Sequence, residues 1–223
     1  MTVAGGSARK PVVIVISGRG SNMRALIEAS RASDSTFEVV RVLSDKPGAG
    51  GLATARDMGV DAHAVPATGF ADRTAYDETL AEAVEQTPPA LVVLAGFMRI
   101  LSSAFVRRYE GRMINIHPSL LPKYTGLHTH RRALAAGDTE HGATVHFVTE
   151  ELDGGPPVLQ AAVPVLAGDD ENSLSARVHQ AEHKIFPLVV DWFCGGRLAY
   201  RDGQAWFDGR LLKAPLQWGE LIQ

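Results

Sequence analysis

The sequence predicts an α/β protein built on an open, mostly parallel, doubly wound sheet, with helices on both faces and antiparallel strands toward the C-terminal half. Three observations carry this expectation. From residue 11 onward, short β-branched runs alternate with Ala-rich amphipathic stretches, the pattern of repeated βαβ units. The first four runs are predominantly apolar, as strands are when helices cover both faces of a parallel sheet, whereas later runs alternate apolar with polar residues. A glycine-rich turn, Ser17-Gly18-Arg19-Gly20, follows the first run and opens a helix, so the expected arrangement is Rossmann-like.

In chain order, the aliphatic run Val12–Ile16 predicts the first strand and the amphipathic stretch Ser21–Ala32 the first helix. Glu38–Leu43, Ala62–Val65 and Leu91–Leu94 predict the next three strands, separated by helices over Gly51–Met58 and Arg73–Thr87. Ser103–Arg108 predicts a short helix, Arg112–Ile116 a fifth strand and His130–Ala136 a further helix. Val145 and Phe147 alternate with polar neighbours, and an apolar run follows the turn Asp153-Gly154-Gly155-Pro156. Ala143–Val148 and Val158–Val165 therefore predict an antiparallel pair closing the far end of the sheet. Asn172–Phe193 predicts the longest helix. The tetrapeptide Arg201-Asp202-Gly203-Gln204 predicts a hairpin turn between Leu198–Tyr200 and Ala205–Phe207.

With 223 residues, 45% of them hydrophobic, one core suffices, and residues 11–223 are expected to form a single domain after a flexible N-terminal tail, Met1–Lys10. No strictly aliphatic run exceeds Val12–Ile16, far short of the ~20 residues that cross a bilayer. The small, polar start is not a secretory leader, so a cytoplasmic protein with no membrane partner is expected. The lone Cys194 rules out an intrachain disulfide and a cysteine-based zinc site, and reads as a buried small hydrophobe. A net charge of −3, with no Lys/Arg run longer than two, argues against nucleic acid and leaves small molecules as the expected partners.

The turn after the first strand brings free backbone N–H groups to a helix start, which suits an anion such as phosphate. The plain alternative is that Ser21 or Asn22 caps the helix. Met23 stands where the dinucleotide fingerprint needs its third glycine, and no Lys-Ser/Thr follows, so neither a dinucleotide nor a nucleoside triphosphate is favoured. Asn115 and His117 share one face of a strand end, while Ile116 faces away. An amide donor beside a titratable imidazole suits acyl transfer, the amide holding a developing oxyanion and the imidazole handling a proton. Asp153, in a glycine-loosened loop, can reach the pair and stabilise the imidazolium. The plain alternative is a strand end with satisfied hydrogen bonds. There is no Gly-x-Ser-x-Gly elbow, so the substrate is expected to bring its own nucleophile. His128 and His130 lack a third ligand at metal spacing, and no metal is expected.

The segment Asn115-Ile116-His117-Pro118-Ser119-Leu120-Leu121-Pro122-Lys123-Tyr124 resembles the folate-dependent formyltransferases. Residues 16–22, 94–101, 126–130 and 146–155 extend the resemblance over roughly residues 11–209. It implies transfer of a formyl group from 10-formyltetrahydrofolate, as co-substrate, to the glycinamide amine of a phosphoribosyl substrate, without a metal. Carried over by position, Asn115, His117 and Asp153 would be catalytic, Gly20, Ser21 and Asn22 would hold the phosphate, and Glu182 would bind the glycinamide part. The folate would lie along Met98, Arg99, Ile100, Leu101 and Asn115, and along Val148, Thr149, Glu150, Glu151, Leu152 and Asp153, with Arg73 toward its glutamate carboxylate. Without the resemblance, Met98, Ile100 and Leu101 read as helix core, and Glu182 and Arg73 as solvated helix charges.

Two departures from the family pattern stand out: Arg19 where an Asn is expected, and Pro156-Pro157 where one proline is usual. Formyl transfer to a tRNA would need a further tRNA-binding C-terminal domain, and a formyl-folate hydrolase usually carries an N-terminal regulatory domain. A silent phosphosugar-binding module would lose the Asn-His-Asp group. The oligomeric state, a homodimer included, is left open.

Overall fold

The computed structural model describes residues 8–221. In chain order its elements are β1 (Lys10–Ile16), α1 (Ser21–Ser30), β2 (Phe37–Ser44), α2 (Gly50–Asp57), β3 (Asp61–Ala64), α3 (Arg73–Glu85), β4 (Leu91–Leu94), α4 (Ser103–Arg108), β5 (Met113–His117), α5 (Thr129–Ala136), β6 (Glu140–Phe147), β7 (Pro157–Pro164), α6 (Glu171–Cys194), β8 (Leu198–Arg201), β9 (Gln204–Phe207), β10 (Arg210–Leu211), β11 (Leu216–Gln217) and α7 (Trp218–Leu221). The main sheet runs β11-β7-β6-β5-β4-β1-β2-β3. β1 to β5 are mutually parallel, β6 is antiparallel to both β5 and β7, and β11 is parallel to β7. A small antiparallel sheet, β10-β9-β8, lies beside it.

β1 shows why the sheet needs two covers. Val12, Ile14 and Ile16 pack with Met23, Leu26 and Ile27 of α1, Leu52 and Ala55 of α2, and Leu174, Val178 and Ile185 of α6. Val13 and Val15 point the other way, toward Tyr76, Leu80 and Val84 of α3 and Phe105 and Val106 of α4. Each of these β1 side chains is fully buried, a contribution of ~1.5–3 kcal/mol apiece. A strand apolar at consecutive positions can only sit between two helical layers.

Strand order reverses between β1 and β4, because β2 and β3 extend to one side of β1 while β4 and β5 extend to the other. Ligands of open α/β sheets bind at such a reversal, outside the carboxyl ends of the strands. There the Ser17 N–H donates to the Gly96 carbonyl (3.1 Å) and the Met98 N–H to Ser17 Oγ (2.9 Å), joining the loops that leave β1 and β4.

Some details differ from expectation. Met1–Ser7 of the expected tail lie outside the described residues. Its last residues are held, since Lys10 opens β1 and donates its N–H to Thr36 O (2.9 Å), while the Arg9 guanidinium bonds the Ser30 and Ala32 carbonyls. β3 is an edge strand with Asp61 and His63 exposed, not a fully apolar run, and Arg41 of β2 pairs with Asp61 at 2.8 Å. β7 does not end the sheet. Two residues from the C-terminal segment, Leu216 and Gln217, pair beyond it as β11, too short a stretch to show a periodicity. In the foreseen hairpin, Asp202 (φ 50°) and Gly203 (φ 76°) are both left-handed, as a two-residue turn that follows strand twist requires.

Candidate active site

β5 brings Asn115 and His117 to one face at its carboxyl end, with Asn115 level with Leu94 of β4. Asp153 comes from the loop between β6 and β7, whose base is closed by Phe147 N–H to Pro156 O (3.1 Å) and Val148 N–H to Met113 O (3.0 Å). Gly155 is required at that closure, because a β-carbon there would run into the Phe147 carbonyl. Asp153 itself is left-handed (φ 52°), a conformation that aspartate tolerates better than most residues.

The carboxylate thus reaches the histidine. Asp153 Oδ2 lies 3.4 Å from His117 Nδ1 and accepts the Gly126 N–H at 2.8 Å, and both side chains are 7% exposed. The other ring nitrogen, Nε2, lies 2.8 Å from the Tyr124 carbonyl. Both nitrogens of His117 therefore face acceptors, the arrangement that a doubly protonated ring satisfies.

A second imidazole completes the group. His146 lies opposite Asn115 in the β5–β6 pairing, with its Nε2 3.1 Å from Asn115 Nδ2 and 3.9 Å from Asp153 Oδ1, while its Nδ1 is 2.9 Å from the Phe147 carbonyl. Burial pushes its titration down to about 4, against smaller opposing effects of the Phe147 carbonyl and Asp153, so the ring is neutral.

Two adjoining cavities, of about 110 and 410 Å³, open on this group and share Phe97, Arg99, Ile100, Asn115, Leu152 and Asp153. Leu101, Val106, Val148, Thr149, Glu150 and His146 line the smaller, and Met98, His117, Gly126 and His130 line the larger. The smaller has mixed apolar and polar walls and the larger is mostly apolar, a composition that suits a small organic ligand. Met98 and Ile100 are not helix core. The chain between β4 and α4 is irregular, turning at Gly96 (φ 77°), and leaves them 61% and 55% exposed. Arg99 lies over the Tyr76 ring at 4.8 Å.

The glycine turn forms a separate group. Gly20 (φ 74°) precedes α1, and no side chain caps the helix, so Ser21 and Asn22 do not play that part. α2, also without a side-chain cap, packs against the turn, with the Gly51 N–H on Gly18 O (3.1 Å). Asn22 instead donates Nδ2–H to Glu182 Oε2 (2.8 Å), tying the turn to α6. Glu182 is no solvated charge: it is 3% exposed, and burial raises its pKa above the ordinary carboxylate value, against the pull of Asn22, His179 and His117.

Asn115, His117, Asp153, Met98, Arg99, Ile100, Leu101, Val148, Thr149, Glu150 and Leu152 thus converge, while in the separate turn Asn22 meets Glu182, Gly20 precedes the helix and Ser21 is exposed. Glu151 is exposed and lies off the cavity walls. Arg73 starts α3 and lines a separate cleft of about 590 Å³ with Ser102, Ser103 and Arg107. The sequence reading missed His146 and the backbone groups of Tyr124 and Gly126. His146 is found only from the β5–β6 register that sets it opposite Asn115, and a backbone donor or acceptor leaves no mark in the sequence. His128 is exposed, and His130 pairs with His141 (3.1 Å). Among the described residues, no three His, Cys, Asp or Glu side chains are grouped to hold a metal ion.

Known proteins share this architecture. A family model described as formyl transferase matches residues 10–190. The phosphoribosylglycinamide formyltransferase of Escherichia coli K12 is 54% identical over 201 residues, 90% of this chain and 95% of that one. The same enzyme from Haemophilus influenzae is 41% identical over 203 residues, 91% and 96% of the two chains. The solved phosphoribosylglycinamide formyltransferase of Coxiella burnetii superposes with a TM-score of 0.89 at 47% identity, covering 94% of this chain and 99% of that one. The match runs through the sheet reversal, the glycine turn and the β5 strand end alike, and the chain belongs to the formyl transferase family.

Proposed function

We infer that this chain transfers the formyl group of 10-formyltetrahydrofolate to the amine of N1-(5-phosphoribosyl)glycinamide, giving formylglycinamide ribonucleotide and tetrahydrofolate in de novo purine synthesis. The likeness to relatives bearing that activity, over nearly their whole length, supports the reaction. The observation that carries the chemistry is the setting of His117, with an acceptor at each ring nitrogen and Asn115 beside it at the cavity floor.

The formyl folate supplies an electrophilic carbon and the substrate amine supplies the nucleophile: the amine nitrogen bonds the formyl carbon, the bond from that carbon to the folate nitrogen breaks, and the proton lost by the amine passes to the departing folate nitrogen. Asn115 and protonated His117 stabilise the negative charge that develops on the formyl oxygen. Asp153 sustains the imidazolium and, at 3.4 Å, leaves its Nδ1–H loose enough to be shared with that oxygen. Gly20, Ser21 and Asn22 receive the phosphate at the uncapped start of α1, where Arg19 adds positive charge, and Glu182 receives the glycinamide part. The folate ring occupies the cavity walled by Ile100, Leu101 and Val148, and Arg73 and Arg99 are the cations for its glutamate. The reaction needs two small molecules and no metal, and belongs in the cytoplasm.

A steady-state assay of folate release, with and without glycinamide ribonucleotide, tests this reading. Release that depends strictly on the ribonucleotide is expected. Release without it would identify a hydrolase, and no release in either case would overturn the reaction.

A further inference from the structure

We propose that His146 is a positioning residue for formyl transfer: it fixes the Asn115 amide with its N–H edge toward the reacting carbonyl and acts on the reaction through Asn115. The inference rests on the transfer reading above, and four features of the site lead to it.

The first is alignment. Asn115 and His146 are direct partners across antiparallel β5 and β6, so both side chains stand on one face and meet at 3.1 Å. The second is the tautomer. The Phe147 carbonyl, 2.9 Å from His146 Nδ1, can only accept, so Nδ1 carries the ring's proton. In a neutral ring Nε2 then holds a lone pair, and its neighbour must donate. An amide has one donor end, so Asn115 must turn Nδ2 toward His146 and cannot flip without placing its oxygen against that lone pair.

The third feature is burial. His146 is 2% exposed, whereas Asn115 is half-buried and lines both cavities, so the acceptor for the amide comes from the protein interior and the rest of the amide is left to face the cavities. The fourth is division of labour around Asp153. Its Oδ2 faces His117 at 3.4 Å and its Oδ1 faces His146 at 3.9 Å. A protonated His146 would compete for the carboxylate and lose its own acceptor function. Neutral, it leaves Asp153 to His117. Around one carboxylate, one histidine is thus disposed to be charged and the other to stay uncharged. With one Nδ2 hydrogen spent on His146, the second is held at a fixed angle for the formyl oxygen, which is worth more than a freely rotating amide because no reorientation accompanies the reaction.

The test compares His146→Leu, which removes the acceptor, with His146→Gln, which restores an oxygen acceptor at similar reach, each in the unchanged chain and in an Asn115→Ala background. In the unchanged chain, His146→Leu is expected to lower kcat ~10–100-fold, with KM for both substrates within about threefold, and His146→Gln to recover most of the loss. In the Asn115→Ala background the same His146→Leu change is expected to cost less than about twofold, because nothing remains to be positioned. An equal loss in both backgrounds, a rise in KM at constant kcat, or full activity in His146→Leu would overturn the proposal. If His146→Leu does not fold, His146→Gln against His146→Asn, whose shorter reach misses Asn115, makes the same comparison. The unchanged chain is assayed first, and folate release without the ribonucleotide there overturns the transfer reading before any variant is compared.

Discussion

At the scale of single residues, the site separates groups whose charge is used from a group whose charge is a burden. His117 and Asp153 face one another, and removing either should leave the fold intact while removing the imidazolium or its counter-ion. His117→Ala and Asp153→Asn are each expected to lower kcat by ~10²-fold or more, and near-normal turnover in both would sink the assigned roles. Glu182 is a buried carboxylate with raised pKa whose Oε2 accepts from Asn22. Glutamine can keep that bond without the cost of a buried charge. Glu182→Gln is therefore expected to raise Tm by about 1–3 °C while raising KM for the ribonucleotide ~10-fold. A stable variant with unchanged KM would show that Glu182 does not meet the substrate. The sequence contained these residues, yet it could not tell Glu182 from an ordinary helix charge, because burial on one side of α6 depends on α1 packing there.

At the scale of elements, the approach of α2 to the turn after β1 has a steric condition. A β-carbon on Gly51 would collide with the Ile16 Cδ1 methyl and lie 3.0 Å from the Gly18 carbonyl, whereas one on Gly48 meets nothing within 4 Å. Gly51→Ala is expected to destabilise by ~1–3 kcal/mol and raise KM for the phosphorylated substrate, because it pushes α2 away from the turn, and Gly48→Ala should be silent in both. Thermal melts and KM for the ribonucleotide check this, and equal behaviour of the two variants would refute the steric reading. Most elements were legible at this scale: Ser103–Arg108 and Leu91–Leu94 agree to the residue, and the remaining foreseen elements shift at their ends by a few residues. The lip Met98–Leu101 was misread without the family resemblance. An apolar segment looks the same whether it packs in a core or lines a ligand site.

At the scale of the whole molecule, one buried and one half-buried histidine set an acid limit on stability. Burial lowers His146 and His130 to about 4, against an ordinary value of 6.5. For a histidine depressed in the folded state, stability is full above the unfolded value and is lost as pH falls from about 6.5 toward about 4. The slope approaches ~1.4 kcal/mol per pH unit for each group. Glu182, raised by burial, acts in the opposite sense and offsets part of the loss. Tm is therefore expected to fall by several degrees between pH 6.5 and 4.5 and to change little from 6.5 to 8. A Tm that is flat across the acid window would rule out neutral histidines at these two positions.

By itself, the sequence determined the layered α/β architecture, because apolar periodicity and glycine turns are local signals that a strand or helix must satisfy wherever it packs. It also determined the chemical types at the β5 strand end, since Asn115 and His117 fall on one face by the two-residue period alone. Only the tertiary structure decided that Asp153 reaches His117, that His146 stands behind Asn115, and that Glu182 is buried against Asn22, over sequence separations of 36, 31 and 160 residues. It also decided that Arg73 lies in a cleft of its own. These contacts follow from strand order, cross-strand register and the crossing of α6 over α1, which are set by global packing, so no local pattern in the chain can encode them.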